Sequence, residues 1–333
     1  AQAYGVTGGG LLKPESGKYY KASTAKEFLD ALMAVKASGA KAVIEITEDI
    51  NLGCNEIDDF GSYSKIIKAY TAQPLTHPTL IKTGVSVLML DGFANVTIFS
   101  SNGSSIKHAN ITMKNSSNII IRNIKFDELW EWDEETNGDY DRNDWDYMTI
   151  DSACNGIWID HCTFYKAYDG VIDVKNPSPE NNVTISWCEF LPGSEDDIFF
   201  DVMMDELDRN SEKYPYYQHL LDAGMTKSQI RGYAYGQKKT HLFGQSDEAA
   251  NAAGIKVTLA NNYYYNSMDR MPRLRYGYTH VYNCIMDAQE LRDTRKSITN
   301  EDIAKKIVSN GASSTCGAQV LLENCYINGI ENA

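Results

Sequence analysis

The sequence GIWIDHCTF at residues 156–164 carries a nine-residue pattern that recurs along the chain. Aligned without gaps, the other copies are NIIIRNIKF (118–126), NVTISWCEF (182–190), KVTLANNYY (256–264), YTHVYNCIM (278–286), QVLLENCYI (319–327) and the poorer NVTIFSSNG (95–103). The second position is usually β-branched and the fourth is aliphatic. Each copy therefore predicts a strand, a polar bend and a second short strand.

The spacing of the copies predicts the fold. The closest copies start 22, 23 and 26 residues apart, and the others start 38, 41 and 74 residues apart. A period in the twenties with matching residue types is typical of a solenoid, and the longer spacings indicate insertions. We therefore predict an all-β fold, a right-handed single-stranded parallel β-helix that forms one domain over residues 1–333.

Other segments should close and surround this coil. Residues 23–38 have helical periodicity and precede the strand-like AVIEIT, so a helix should cap the first coil within an N-terminal cap of about residues 1–52. Long loop insertions are expected at about 127–143 and 192–236, where they would wall a groove. Three tyrosines of the second insertion either contact a sugar chain or pack within the loop, namely Tyr214, Tyr216 and Tyr217.

Equivalent positions of successive copies should stack on each other. Position six is often Asn, which predicts an amide ladder at a bend that satisfies polar groups in the interior. Position seven predicts an inward column of cysteines, Cys162, Cys188, Cys284 and Cys325. Buried apolar thiols are favoured over disulfides or a metal site, because stacked side chains point in parallel.

The composition excludes several classes of protein. A net charge of −14 argues against a nucleic-acid partner, because phosphate contact needs a basic surface. No run of about 18 apolar residues is present, so no membrane span is expected. The chain begins Ala-Gln-Ala, which is compatible with a secreted, extracellular protein after removal of its leader. We expect a monomer.

Carboxylates follow two of the copies. Asp144 and Asp146 should share one side of a strand, and so should Asp169 and Asp173. On adjacent coils these acids would repel each other unless a cation lay among them. Coordination by several carboxylates favours Ca²⁺ over zinc or copper. The alternative is a set of solvated surface acids.

Cations follow two other copies. RMPRLR places Arg270, Arg273 and Arg275 within six residues, and KTHLFG begins with Lys239 after Lys238. Arginine recognises carboxylates through two parallel hydrogen bonds. Cations beside clustered aspartates in an acidic chain indicate a local field suited to an acidic ligand, although a solvated basic turn is the alternative.

At these residues the chain resembles the extracellular pectate lyases of polysaccharide lyase family 1. WIDH (158–161) resembles the first signature of that family, and RMPRLR (270–275) resembles its R-x-P-x-x-R signature. NDWDYMTI (143–150) and DGVIDVK (169–175) resemble its calcium segments, and KTHLFG (239–244) with QSD (245–247) resembles its lysine segment. The resemblance spans most of the chain.

The resemblance implies roles for single residues. Asp146, Asp169 and Asp173 would bind Ca²⁺, assisted by Asp144; Arg270 and Lys239 would be catalytic; and Arg275, Arg273 and Lys175 would bind substrate. His161 and Trp158 belong to a signature but are expected to serve structure.

The implied reaction is β-elimination in α-1,4-polygalacturonate, which gives 4,5-unsaturated oligogalacturonates. Arg270 would remove the C5 proton. Because a free guanidinium has a pKa above about 12, the sequence alone equally allows Arg270 a purely electrostatic role.

Three alternatives are open. A pectin lyase would act on methyl-esterified polymer and need no calcium bridge. A polygalacturonase would hydrolyse the chain with paired carboxylates, for which Asp196 and Asp197 are candidates. A non-catalytic sugar-binding β-helix would explain the solenoid but not Lys239 together with Arg270.

Overall fold

The computed structural model describes residues 5–70, 74–193, 197–236 and 238–332. Its strands are β1 (Tyr19–Ala22), β2 (Ala42–Ile46), β3 (Ile50–Asn51), β4 (Ile67–Ala69), β5 (Ser86–Asp91), β6 (Ala94–Ser100), β7 (Ser105–Lys107), β8 (Ala109–Lys114), β9 (Ser117–Arg122), β10 (Lys125–Asp127), β11 (Asp146–Ile150), β12 (Asn155–Asp160), β13 (Thr163–Tyr165), β14 (Gly170–Val174), β15 (Asn181–Ser186), β16 (Glu189–Leu191), β17 (Leu242–Phe243), β18 (Ile255–Ala260), β19 (Tyr263–Tyr265), β20 (Arg273–Arg275), β21 (Tyr278–Tyr282), β22 (Ile285–Asp287), β23 (Ser313–Thr315), β24 (Gln319–Glu323) and β25 (Tyr326–Asn328). The α-helices are α1 (Ala25–Ser38), α2 (Pro78–Thr83), α3 (Ile198–Arg209), α4 (Pro215–Asp222), α5 (Lys227–Tyr235), α6 (Gln289–Ser297) and α7 (Glu301–Ala304).

These strands form three long sheets that run along one coil. Sheet A has the order β1-β2-β6-β9-β12-β15-β18-β21-β24, sheet B has β25-β22-β19-β16-β13-β10-β7-β3, and sheet C has β23-β20-β17-β14-β11-β8-β5-β4. Neighbouring strands are parallel except for β4 and β5, which are antiparallel. Each repeat supplies one strand to sheet A and the next to sheet B, so the predicted parallel β-helix is confirmed.

The bend between sheets A and B falls at position six of the repeat. All six residues there have a left-handed backbone, with φ between 51° and 58°: Asn123, His161, Trp187, Asn261, Asn283 and Asn324. Asparagine tolerates this region better than most residues, which explains its frequency. The predicted amide ladder exists, because Asn324 donates to Asn283 (2.7 Å) and Asn283 to Asn261 (3.1 Å). Its predicted place in the interior is wrong, since these side chains lie on the outside of the coil.

Positions seven and nine fill the interior. Cys162, Cys188 and Cys284 are buried and Cys325 is partly exposed, and all seven cysteines are free thiols. Position nine gives a column of parallel rings, Phe126, Phe164, Phe190 and Tyr264, with centroid distances of 5.0, 5.3 and 4.7 Å. The prediction of buried thiols rather than disulfides is confirmed.

The N-terminal helix forms where the sequence predicts it. Thr24 caps α1 by accepting a hydrogen bond from the Glu27 amide, and Gly39 ends it in the left-handed conformation. The buried side of α1 includes Phe28, Leu29 and Leu32, and the helix contacts β1, the edge strand of sheet A. It therefore covers the first coil.

The two predicted insertions leave the coil at one corner, between sheet B and sheet C. The first separates β10 from β11, and the second separates β16 from β17. The second is not a loop as expected: it contains α3, α4 and α5. A further insertion at the same corner, between β22 and β23, contains α6 and α7 and was not predicted from the sequence. The 41-residue spacing of the last two copies was its signal.

The tyrosines of the second insertion pack against the first one. Tyr214, Tyr216 and Tyr217 are all buried. The Trp132 ring lies 5.8 Å from that of Tyr216 and 6.0 Å from that of Tyr217. Of the two roles considered for these tyrosines, the structure supports packing. None of the described helices has the length and apolar character needed to cross a membrane.

Candidate active site

The four charged segments of the sequence analysis lie on or beside neighbouring strands of sheet C. Asp146 begins β11, Asp173 lies in β14, Lys239 precedes β17, and Arg273 begins β20. These strands are consecutive neighbours in the sheet. The coil thus brings together residues that are up to 127 positions apart in sequence.

Two buried carboxylates meet above a residue without a side chain. A Cβ atom added at Gly170 would lie 2.5 Å from Oδ1 of Asp146 and 3.3 Å from Oδ1 of Asp173. Burial and then the Asp173 carboxylate raise the pKa of Asp146 well above its usual value. Burial also raises the pKa of Asp173, against the lowering effect of Lys175 and Arg270. Both acids therefore need a positive charge to remain ionised here.

Lys175 supplies part of that charge. Its Nζ lies 3.3 Å from Oδ2 of Asp173 and 3.6 Å from Oδ2 of Asp146. Burial lowers the pKa of Lys175, but the aspartates outweigh burial and the net pKa is raised. The lysine is therefore a cation at this site.

Lys239 rather than Lys238 faces the carboxylates. Its Nζ lies 2.6 Å from Oδ1 of Asp169 and 2.5 Å from Oδ1 of Asp141. Lys238 is buried, with its Nζ 3.3 Å from the centroid of the Tyr233 ring. Burial raises the pKa of Asp169 to about 6, although Lys239 opposes this. Asp141 lies in the first insertion and was not among the predicted site residues.

Arg270 stands at the edge of the carboxylate cluster. Its charge lowers the pKa of both Asp169 and Asp173, which places the guanidinium within electrostatic range of the two acids. Its backbone has a φ of 67°, with the amide donating to Asp269 (2.8 Å) and the carbonyl accepting from the His241 amide (2.8 Å). Within the described parts of the chain, the buried Nε of Arg270 makes no hydrogen bond.

The other two arginines differ in their contacts. Arg275 donates from Nη1 to the Gly244 carbonyl (3.1 Å), and its Nε lies 2.6 Å from Oδ1 of Asp247. Arg273 is half-buried, and among the described residues no carboxylate forms an ion pair with it. Arg273, like Arg270, therefore has a guanidinium left for an external anion.

Asp144 does not lie where the sequence predicts it. It precedes β11, which begins at Asp146, and it is exposed. Trp145 and Asp146 are both buried, so the alternation of a regular strand does not reach back to Asp144. Alternation also fails between Asp169 and Asp173, because the amides of Val171 and Ile172 both donate to the Thr240 carbonyl, as in a β-bulge.

The described residues contain no group of three or more His, Cys, Asp or Glu side chains already arranged around a metal position. Asp169 turns to Lys239, while Asp146 and Asp173 turn to Lys175. The donor chemistry nevertheless fits a hard cation. Oδ1 of Asp146 is buried without a hydrogen-bond partner in the described structure and shares the space above Gly170 with Asp173.

Of the two carboxylates considered for a hydrolase, the described residues include Asp197. Asp196 lies outside the described residues. Asp197 accepts a hydrogen bond from the Phe199 amide (3.0 Å) at the start of α3 and pairs with Lys166 (2.6 Å). Its role is thus to hold the second insertion in place.

Comparisons with known proteins agree with this architecture. The profile of the pectate lyase family matches residues 1–217 and 226–324. Pectate lyase B of Paenibacillus amylolyticus is 44% identical over 339 residues, which cover 98% of this chain and 85% of that protein. The solved structure of a pectate lyase from Paenibacillus sp. 0602 has a TM-score of 0.92 and 43% identity, and the match covers 99% of this chain and 75% of that chain.

A more distant structure shares the fold. It is the pectate lyase of Bacillus sp. N165 in complex with trigalacturonate, with a TM-score of 0.56 and 18% identity, covering 98% of this chain and 75% of that one. The family profile and the 44% identical relative show that this chain belongs to the pectate lyase family. It is a polysaccharide lyase, and the pectin lyase and non-catalytic alternatives are not favoured.

Proposed function

We propose that the protein cleaves α-1,4-linked polygalacturonate by β-elimination on sheet C and that the reaction depends on Ca²⁺. The observation that carries this proposal is the meeting of Asp146, Asp169 and Asp173 with Lys175, Lys239 and Arg270 on adjacent strands. Relatives named pectate lyases support the substrate, and one distant structural neighbour binds trigalacturonate.

Asp146, Asp169 and Asp173 would hold the ion, with Asp144 at the rim. When bound, Ca²⁺ withdraws electron density from a uronate carboxylate and so acidifies the proton on C5. Asp173 and Asp169 both raise the pKa of Asp146, and Asp173 also raises the pKa of Asp169, so a divalent cation would relieve the repulsion among these acids.

The cations of the chain would act on the sugar. Lys239 and Lys175 place positive charge beside the cluster, where it stabilises the negative charge that develops as the C5–H bond breaks. Arg270, in its neutral guanidine form, would accept the C5 proton, and the C5 electron pair would form the C4–C5 double bond as the C4–O bond breaks. The departing oxygen would take up a proton from solvent and become the hydroxyl of the new reducing end. Arg275 and Arg273 would bind neighbouring carboxylates of the polymer.

The products distinguish this reaction from hydrolysis. β-Elimination adds no water, so one product of each cleavage carries a C4–C5 double bond and is one water lighter than its hydrolytic counterpart. Mass spectrometry of polygalacturonate digests should show these unsaturated oligomers. Saturated products alone would refute the proposed reaction.

The proposed substrate also bears on where the protein works. We propose that it is secreted, because a long polyanion does not cross a membrane. We also propose that it works as a monomer in one domain. Activity found in the culture medium, with the molar mass of one chain in light scattering, would support this. Activity confined to cells, or a stable dimer, would contradict it.

A further inference from the structure

The outer face of sheet A carries a groove well away from the carboxylate cluster of sheet C. Its floor is made of small side chains on β15 and β18: Thr184, Ser186, Thr258 and Ala260. Trp158 on β12 forms one wall and Tyr282 on β21 the other. Three strand spacings separate these walls, about 14 Å, and the depression has a volume of about 530 Å³.

Trp187 lies at the edge of this groove and combines an unusual backbone conformation with high exposure. It occupies the left-handed bend position with a φ of 55°, where Asn123, Asn261 and Asn283 serve in other coils. A bulky residue in this conformation is strained, and 57% of the Trp187 surface is exposed. The coil would accept Asn here, so neither the backbone nor the core explains the indole. Strain with exposure points to a ligand.

The neighbouring coil repeats the exception. His161 holds the same bend position, and its ring is stacked on that of Trp187 with a centroid distance of 5.9 Å and an interplanar angle of 18°. This stacked pair, the ring platform, spans two coils, and the largely exposed Trp187 indole is the part of it that is open to a ligand. Aromatic faces of this kind contact the apolar C–H faces of pyranose rings.

A buried carboxylate fixes the polar groups beside the ring platform. Asp160 is 1% exposed and contacts Ser186 (2.7 Å), Nδ1 of His161 (2.8 Å) and Nε of Arg122 (3.3 Å). Trp158 donates to the hydroxyl of Ser186 (2.9 Å). These contacts hold Ser186 of the floor and the Trp158 wall in place before any ligand arrives, which lowers the entropy cost of binding.

Arg122 gives the groove its charge preference. Its side chain is 49% exposed, and Asp160 is the one carboxylate within ion-pair distance of it among the described residues. Asp160 lies beside Nε, so the two Nη groups of Arg122, which lines the groove, are left for an anion. An apolar protein segment fits less well, because the floor contains hydroxyl groups and a buried charge.

We propose that this groove is a second, non-catalytic binding site for a galacturonate segment, with a sugar ring on the ring platform and its carboxylate on Arg122. The proposal rests on the proposed substrate of sheet C. A polymer held on sheet A would keep the enzyme close to its substrate between cleavages. The gain would be avidity rather than a change in the chemistry.

The test uses an Arg270→Ala background, so that the ligand is not cleaved. Calorimetric titration with hexagalacturonate should show two binding sites. Adding Trp187→Asn should weaken one of them by about tenfold or more and leave the other unchanged. A single site, or two sites that both ignore Trp187→Asn, would overturn the proposal. Circular dichroism should show a folded variant, because Asn serves this position in other coils.

A second variant tests the charge. Arg122→Gln should weaken the sheet A site for hexagalacturonate but not for its fully methyl-esterified form. Equal weakening for both ligands would remove the assigned role of Arg122. With Arg270 intact, Trp187→Asn should cleave trigalacturonate at the wild-type rate. If the wild type gives no unsaturated product, the proposed function is wrong. If the wild type gives unsaturated product but the Arg270→Ala protein binds hexagalacturonate at one site, only the proposed second site is wrong.

Discussion

The sheet C face and the outer face of sheet A are built by the same coils but by different means. On sheet C, carboxylates and lysines lie within 4 Å of each other and are partly or wholly buried. On sheet A, aromatic rings flank a floor of small side chains, and one buried acid organises them. The insertions at the corner between sheets B and C surround the first face only. A repeat fold can thus confine strong charge coupling to one side while the other remains an open surface.

The largest effect is expected on the sheet C face, from the removal of the Arg270 side chain. We expect Arg270→Ala to lower the rate of polygalacturonate cleavage by about 10²- to 10⁴-fold, the range for loss of a general base. The rate of unsaturated product formation measures this. Arg209→Ala, at an exposed arginine of α3, is the matched control and should keep the wild-type rate. A loss below tenfold for Arg270→Ala would remove the base assignment.

Removing one carboxylate should weaken the binding of Ca²⁺ rather than remove a group that reacts with the sugar. Asp173→Asn should lower Ca²⁺ affinity by at least about tenfold, because the cluster loses a buried charge. Calorimetric titration with Ca²⁺ measures this, and Asp205→Asn on the exposed side of α3 is the control. Equal affinities in the two variants would exclude Asp173 as a ligand.

Ca²⁺ binding at the sheet C face should depend on pH. Because the pKa of Asp169 is raised to about 6, most Asp169 carboxyls carry a proton at pH 5 and few do at pH 8. Ca²⁺ binding needs the ionised form, so its affinity should fall as the pH drops through 6. Titrations at both values test this. In Asp169→Asn the dependence should shrink, and an unchanged slope would mean that another group controls it.

The smallest effect is expected at the bend. Trp187→Asn should leave the free energy of unfolding unchanged or raise it by up to about 1 kcal/mol, because it relieves a left-handed tryptophan and exposes little new apolar surface. Chemical denaturation measures this, and Asn283→Ala, which should destabilise, is the comparison. A loss above about 2 kcal/mol for Trp187→Asn would show that the indole serves the fold.

Much of the coil could be predicted because every turn repeats the same pattern of residue types and the same backbone conformation. The strand, bend and second strand follow from the β-branched and aliphatic positions, and the column of thiols follows from position seven. The outward direction of the Asn ladder was missed because the left-handed backbone at position six turns the side chain out of the coil. The recurrent Asn at position six, which tolerates a left-handed backbone, was the available signal.

The sequence could predict which charged residues lie near each other at the site, but not which acid contacts which lysine. Sequence spacing placed Asp146, Asp173 and Lys239 on one sheet, yet it could not show that each acid turns to a lysine. Asp141 comes from an insertion without a repeat, so it had no signal. The helices of the second insertion were missed because that segment was interpreted only as a break in the repeat.

The most direct test of the account is the ultraviolet absorbance of polygalacturonate during incubation with the wild-type protein. The account predicts that absorbance from the C4–C5 double bond rises with Ca²⁺, stops when a chelator is added and resumes when Ca²⁺ is restored. No rise, or the same rise with the chelator present, would contradict a calcium-dependent lyase on sheet C.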